Sequence, residues 1–219
     1  MTNKDNVKSK RTPDNSLARS KVEQITGHLI DGITKGRFVP GQRLVESDLT
    51  TELGISRGPL REAMQLLAAR GLLELIPNRG ARIKNLHPED LRQRLHLLEV
   101  LSSLAIKSIS PKTITAFLHD NALYHAPADA SFLISKVVDF YCHLARLNNN
   151  HLLAEYILNL NLNYFSRHII LHFNVNTDKL DMQFQQMLRA LRAGDATMTH
   201  REHEKLYHQF FICTGLTST

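Results

Sequence analysis

The chain has 219 residues, 42% hydrophobic and 22% charged, with a formal net charge of +6 and a mean hydropathy of -0.23. These values exclude a disordered chain, a collagen-like repeat and a disulfide-stapled mini-protein. No apolar run approaches the ~18 residues of a membrane span, and the polar first twenty residues hold no apolar signal region. Two cysteines, Cys142 and Cys213, neither build a disulfide framework nor sit at metal-ligand spacing, so a reducing cytoplasm is the expected compartment.

The charge is unevenly placed. Residues 1–85 hold 15 Lys and Arg against 9 Asp and Glu, and the remainder holds 12 of each. Histidine runs the other way, with 11 of 12 after residue 86, while 8 of 10 glycines lie before it. Such a contrast predicts two domains, 20–86 and 87–219, behind a flexible basic arm at 1–19.

In chain order, Val22, Ile25, Leu29 and Ile33 recur at spacings of 3, 4 and 4, which predicts a helix from Ser20 to Lys35 stopped by Gly36. Phe38-Val39-Pro40-Gly41 reads as a turn. A short helix follows from Glu46 to Leu53, broken by Gly54, and a third begins at Ser56, whose hydroxyl is placed to cap it. Leu60, Ala63, Met64 and Leu67 form its apolar face, while Arg57, Arg61 and Gln65 stand four apart on the other. Leu72–Ile76 and Ala81–Ile83 flank Pro77-Asn78-Arg79-Gly80 and read as a hairpin with a basic tip. Beyond Pro88 the pattern is helical, with helices expected at about 88–108, 111–124, 129–147, 151–171, 178–193 and 195–212. Short breaks between them imply an antiparallel bundle.

Three helices and a basic hairpin make a winged helix-turn-helix. A helix fits the major groove of B-DNA, where Arg pairs bidentately with guanine and Gln with adenine. Arg57, Arg61 and Gln65 are therefore the candidate reading residues, Ser56 with the N-terminal amides of its helix can hold a phosphate, and Arg79 with Gly80 would bring a guanidinium and bare backbone to an adjacent groove or phosphate. The expected fold is mainly α: an N-terminal winged helix-turn-helix followed by an all-α helical bundle.

Pro40-Gly41-Gln42-Arg43-Leu44, Leu53-Gly54-Ile55-Ser56-Arg57-Gly58-Pro59-Leu60-Arg61-Glu62-Ala63 and Pro77-Asn78-Arg79-Gly80-Ala81 resemble the GntR family of bacterial transcription regulators over roughly residues 20–85. The remainder, through Phe140, Asn150, Leu188-Arg189-Ala190-Leu191 and Gly194-Asp195, resembles the branch with an FCD (FadR C-terminal) ligand-binding domain in its shorter, six-helix, VanR-like form. The resemblance implies a homodimer on a palindromic double-stranded operator, controlled by a small molecule. It adds Arg43 to the DNA-binding set. Gly58 stands where the family often has Thr, so one hydroxyl contact to DNA is missing.

FCD domains commonly hold a metal through one acid and three histidines. In the register set by those residues, the four ligand positions fall on Val137, Tyr141, Phe184 and Leu206. None is a usual ligand for such a metal, so the expectation is no metal or other cofactor and an apolar effector pocket at these four. A competing register makes Asp139 and His143, at i and i+4, the ligands. The family's effector-binding Arg falls on Leu95, with Arg94 pointing elsewhere, which argues against a metal-held carboxylate. Two other functions stand beside the regulator: an effector-independent DNA-binding dimer, and a metal-dependent enzyme. No His-Glu-x-x-His, Gly-rich phosphate loop or nucleophile motif supports the enzyme.

Overall fold

Val22, Ile25, Leu29 and Ile33 are all buried in the structure, a computed structural model that describes residues 15–77, 79–110, 112–114, 117 and 129–216. They lie on α1 (Asn15–Thr34), which packs on α3 (Arg57–Ala69) with α2 (Glu46–Leu53) beside it. Helix α1 begins five residues before the expected Ser20, because Leu17-Ala18-Arg19 are good helix formers that carry no breaker. Residues 1–14 of the expected arm lie outside the described residues.

Leu60, Ala63, Met64 and Leu67 of α3 are buried, as their spacing predicts. A left-handed Gly54 (φ 61°) ends α2. Ser56 occupies the N-cap position of α3 in extended conformation, but its hydroxyl makes no capping hydrogen bond. The expected hairpin is β2 (Leu73–Ile76) and β3 (Gly80–Ile83), paired antiparallel from Leu73–Ile83 to Ile76–Gly80. A third strand, β1 (Arg43–Leu44), pairs with β3 and makes the order β1-β3-β2. Two residues are too few for a period-two signal, so only the sheet reveals it. Ala81 and Ile83 of β3 point into the core and Arg82 points out.

The second domain is helical: α4 (Pro88–Lys107), a 3-10 turn (Ala130–Phe132) running into α5 (Leu133–Leu147), α6 (His151–Leu158), α7 (Ser166–His172), α8 (Thr177–Arg192) and α9 (Ala196–Thr214). Asn150, Asn176 and Asp195, which read as loop residues, are N-caps whose side chains accept from Leu153, Lys179 and Met198 N–H. Most of the helix expected at 111–124 lies outside the described residues; 112–114 and Phe117 within it are helical. The helix expected at 151–171 is two helices. The first ends at Leu158, and just beyond it Asn161 is left-handed (φ 60°), a conformation that this residue type tolerates. That break faces the first domain: buried Asn161 donates Nδ2 to the Arg70 carbonyl at 2.8 Å, and Arg94 donates to the carbonyl of Leu160. No described helix is long and apolar enough to cross a membrane.

Candidate nucleic-acid interface

Arg57, Arg61 and Gln65 project from the exposed face of α3, opposite the side that packs into the core. Arg61 is held in place. Its Nε–H lies 3.0 and 2.9 Å from the two carboxylate oxygens of Glu46, the first residue of α2. That pairing fixes the guanidinium and leaves its terminal amino groups without a partner among the described residues. Two parallel N–H donors are what guanine O6 and N7 accept. The sequence marks Glu46 as the start of the second helix but not as the partner of Arg61, because residues 46 and 61 meet only once α2 packs on α3.

The wing is fastened to this helix. Arg43 of β1 donates Nε and Nη2 to the Arg79 carbonyl at 3.3 and 3.1 Å, which pins the end of the turn. Gly80 has φ +87°, and a Cβ there would overlap the Leu44 carbonyl. Its requirement for glycine is therefore internal, the closeness of β1 to β3, rather than the open approach to DNA that the sequence suggests. An open cleft of about 280 Å³ runs between helix and wing, with Glu46, Arg61, Gln65 and Gly80 along it. Arg82 is exposed on β3 and sits across the sheet from Arg43. The alternation of β3 is the signal in the sequence for its exposure, and Glu74 of β2 lies opposite it on the other side.

Helix, wing and pinned arginine thus come together within the first 85 residues. Residues 21–83 match the family model for bacterial regulatory proteins, gntR family. A YdhC transcriptional regulator of Bacillus subtilis is 36% identical over 77 residues, covering 35% of this chain and 34% of its own. A D-xylose utilization operon transcriptional repressor of Paenarthrobacter nicotinovorans is 33% identical, covering 41% and 40%. The chain thus spans about two fifths or less of the length of these relatives. The fold likeness extends further. A GntR transcriptional regulator from Rhodococcus sp. RHA1 superposes with a TM-score of 0.74 at 21% identity, over 91% of this chain and 100% of that one. Escherichia coli McbR/YncC does so with 0.60 at 19%, over 89% and 97%. The fold is accordingly a gntR-type winged helix-turn-helix joined to an all-helical domain.

In that second domain Val137, Tyr141, Phe184 and Leu206 come from α5, α8 and α9, and each is 0% exposed. Water reaches none of them. Rings fill the space: Phe140 meets Phe184 edge-on at 5.4 Å and Tyr141 meets His203 at 5.5 Å. The Tyr141 hydroxyl is 2.8 Å from His203 Nδ1, and His203 Nε2 is 3.0 Å from Ser103 Oγ on α4. Ser102 donates to the Tyr207 hydroxyl at 2.9 Å. Burial, with smaller contributions from His200 and Lys107, pushes His203 down to about 4. Asp139 accepts from Ser135 at 3.3 Å, while the His143 ring lies against Phe117. Among the described residues no three His, Cys, Asp or Glu side chains gather as a metal site. Leu95 is fully buried, and Arg94 turns to Leu160.

Proposed function

We propose that the protein is a sequence-specific, DNA-binding transcription regulator rather than an enzyme, working in the cytoplasm as a homodimer on a palindromic operator. The observation that carries this reading is the exposed row Arg57, Arg61 and Gln65 beside the wing, with Arg61 oriented by Glu46. The uneven charge supports it, since the whole +6 balance lies in the first 85 residues. A two-fold arrangement is supported by α4, where Leu97, Val100 and Leu104 stand on one face at 53, 53 and 49% exposure. Apolar side chains so exposed in a row suit burial against a second copy.

We read the helical domain as FCD-like, the part that dimerises and receives a small molecule. A second reading, an effector-independent dimer, is favoured by one observation: the four side chains expected to line an effector pocket are closed to water. Selection of genomic fragments by the purified protein, followed by anisotropy titration of the enriched sequence, tests the first reading. Enrichment of one inverted repeat supports it; uniform affinity for all fragments overturns it. Release of that fragment by a metabolite extract separates the two readings.

A further inference from the structure

The two domains meet along a seam. At one end Asn161 grips the Arg70 carbonyl. Elsewhere between the domains lies an open cavity of about 320 Å³, within the lower range of small-molecule sites. Its walls differ by domain. Ile33, Phe38 and Val39 line it from the gntR-type domain, and Arg167, His168 and His172 from α7. Among the described residues no acidic side chain lines it.

Arg167 is well placed but not fully neutralised. Its stem lies against the turn at Gly36 (φ +76°), where a Cβ would come within 3.1 Å of Arg167 Cδ. Its Nη1 donates to Ser131 Oγ at 3.1 Å, and the Asp129 carboxylate is 3.9 Å away and 60% exposed. The rings of His168 and His172 stack at 5.0 Å with 13° between planes. Burial and then His172 hold His168 below the usual imidazole range, so it acts as a neutral N–H donor.

We propose that this seam is a binding site for a small organic anion. Its apolar body lies on Ile33, Phe38 and Val39, and its charged head takes hydrogen bonds from Arg167, with His168 and His172 beside it. The proposal rests on the regulator reading and moves control from the closed core around Tyr141 to the junction of the domains. A ligand here touches both domains, and α1, which forms one wall, packs directly on the recognition helix. Preference for one domain orientation then couples occupancy to DNA affinity.

The test is thermal unfolding of the full chain with a panel of small carboxylates, benzoate and hexanoate among them, each beside its amide at constant ionic strength. Carboxylates should raise the midpoint with concentration, and amides should not. Arg167→Gln should weaken the carboxylate Kd about tenfold or more, the loss of one charge-assisted hydrogen bond. Leu171→Glu, at an exposed position on the rim, should do the same by repulsion without emptying a core site. Bound carboxylate should also change operator affinity by anisotropy. No carboxylate-specific shift across the panel, or an equal shift in both variants, overturns the site. A shift with unchanged DNA affinity overturns its regulatory role. Failure of the ligand-free protein to bind any DNA selectively overturns the regulator reading instead.

Discussion

Arg61 is the residue on which reading and support separate. Its bond to Glu46 is exposed on the arginine side, at 59% against 21%, so the pair contributes only about 0–1 kcal/mol to stability. Its value is geometric. Arg61→Ala should cost ~1–3 kcal/mol on the selected operator and much less on random DNA. Glu46→Gln should shift the unfolding midpoint little yet reduce the ratio of specific to random affinity; an unchanged ratio in anisotropy titrations would make the pair incidental. His203 carries a second expectation. Its imidazole titrates near 6.5 in the unfolded chain and at about 4 in the fold. Between those values only the unfolded state takes up the proton. Stability should therefore be full above pH 6.5, fall as the pH drops, and level off near 4, by on the order of 3 kcal/mol in all. Urea unfolding across that range measures the slope, and His203→Gln should flatten it.

The break between α6 and α7 is the element that joins the domains. Asn161 combines two properties there: a left-handed backbone and an amide that satisfies the Arg70 carbonyl at the end of the recognition helix. The two are separable. Asn161→Gly keeps the conformation and removes the hydrogen bond, at a cost of about 1 kcal/mol. Asn161→Ala removes the bond and adds the strain of a left-handed alanine, a further ~1–2 kcal/mol. Chemical denaturation should order the three proteins as wild type, glycine, alanine. An alanine variant as stable as wild type would show that the seam does not depend on this contact.

Charge and symmetry act at the scale of the whole molecule. Each phosphate neutralised by the basic first domain releases counterions, so log affinity should fall with log salt by about 0.9 per contact. A salt-insensitive affinity would contradict an electrostatic interface. Val100→Asp places a charge in the middle of the exposed α4 row without touching the core. Sedimentation should show monomers at concentrations where the wild type is dimeric, and operator affinity should drop by orders of magnitude as the second half-site is lost. A Val100→Asp protein that still sediments as a dimer would place the interface on another face.

The sequence by itself determined the division of character along the chain, the three N-terminal helices, the hairpin and most of the bundle. Each of these rests on local information: apolar spacing in α1 and α3, glycine after α2, Asn or Asp ahead of α6, α8 and α9. It also placed Arg57, Arg61 and Gln65 on one face, because helical period alone fixes that. What it did not show are relations between residues distant in the chain. Strand β1 is too short to carry a pattern and exists through its partner β3. Glu46 reaches Arg61, Arg43 reaches the Arg79 carbonyl, and Asn161 reaches the Arg70 carbonyl. The apolar residues Val137, Tyr141, Phe184 and Leu206 were legible as apolar, but whether they enclose space or fill it depends on how α5, α8 and α9 approach one another. Tertiary packing decided these points because a hydrogen bond or a filled volume is set by positions in space, which no periodicity along the chain records.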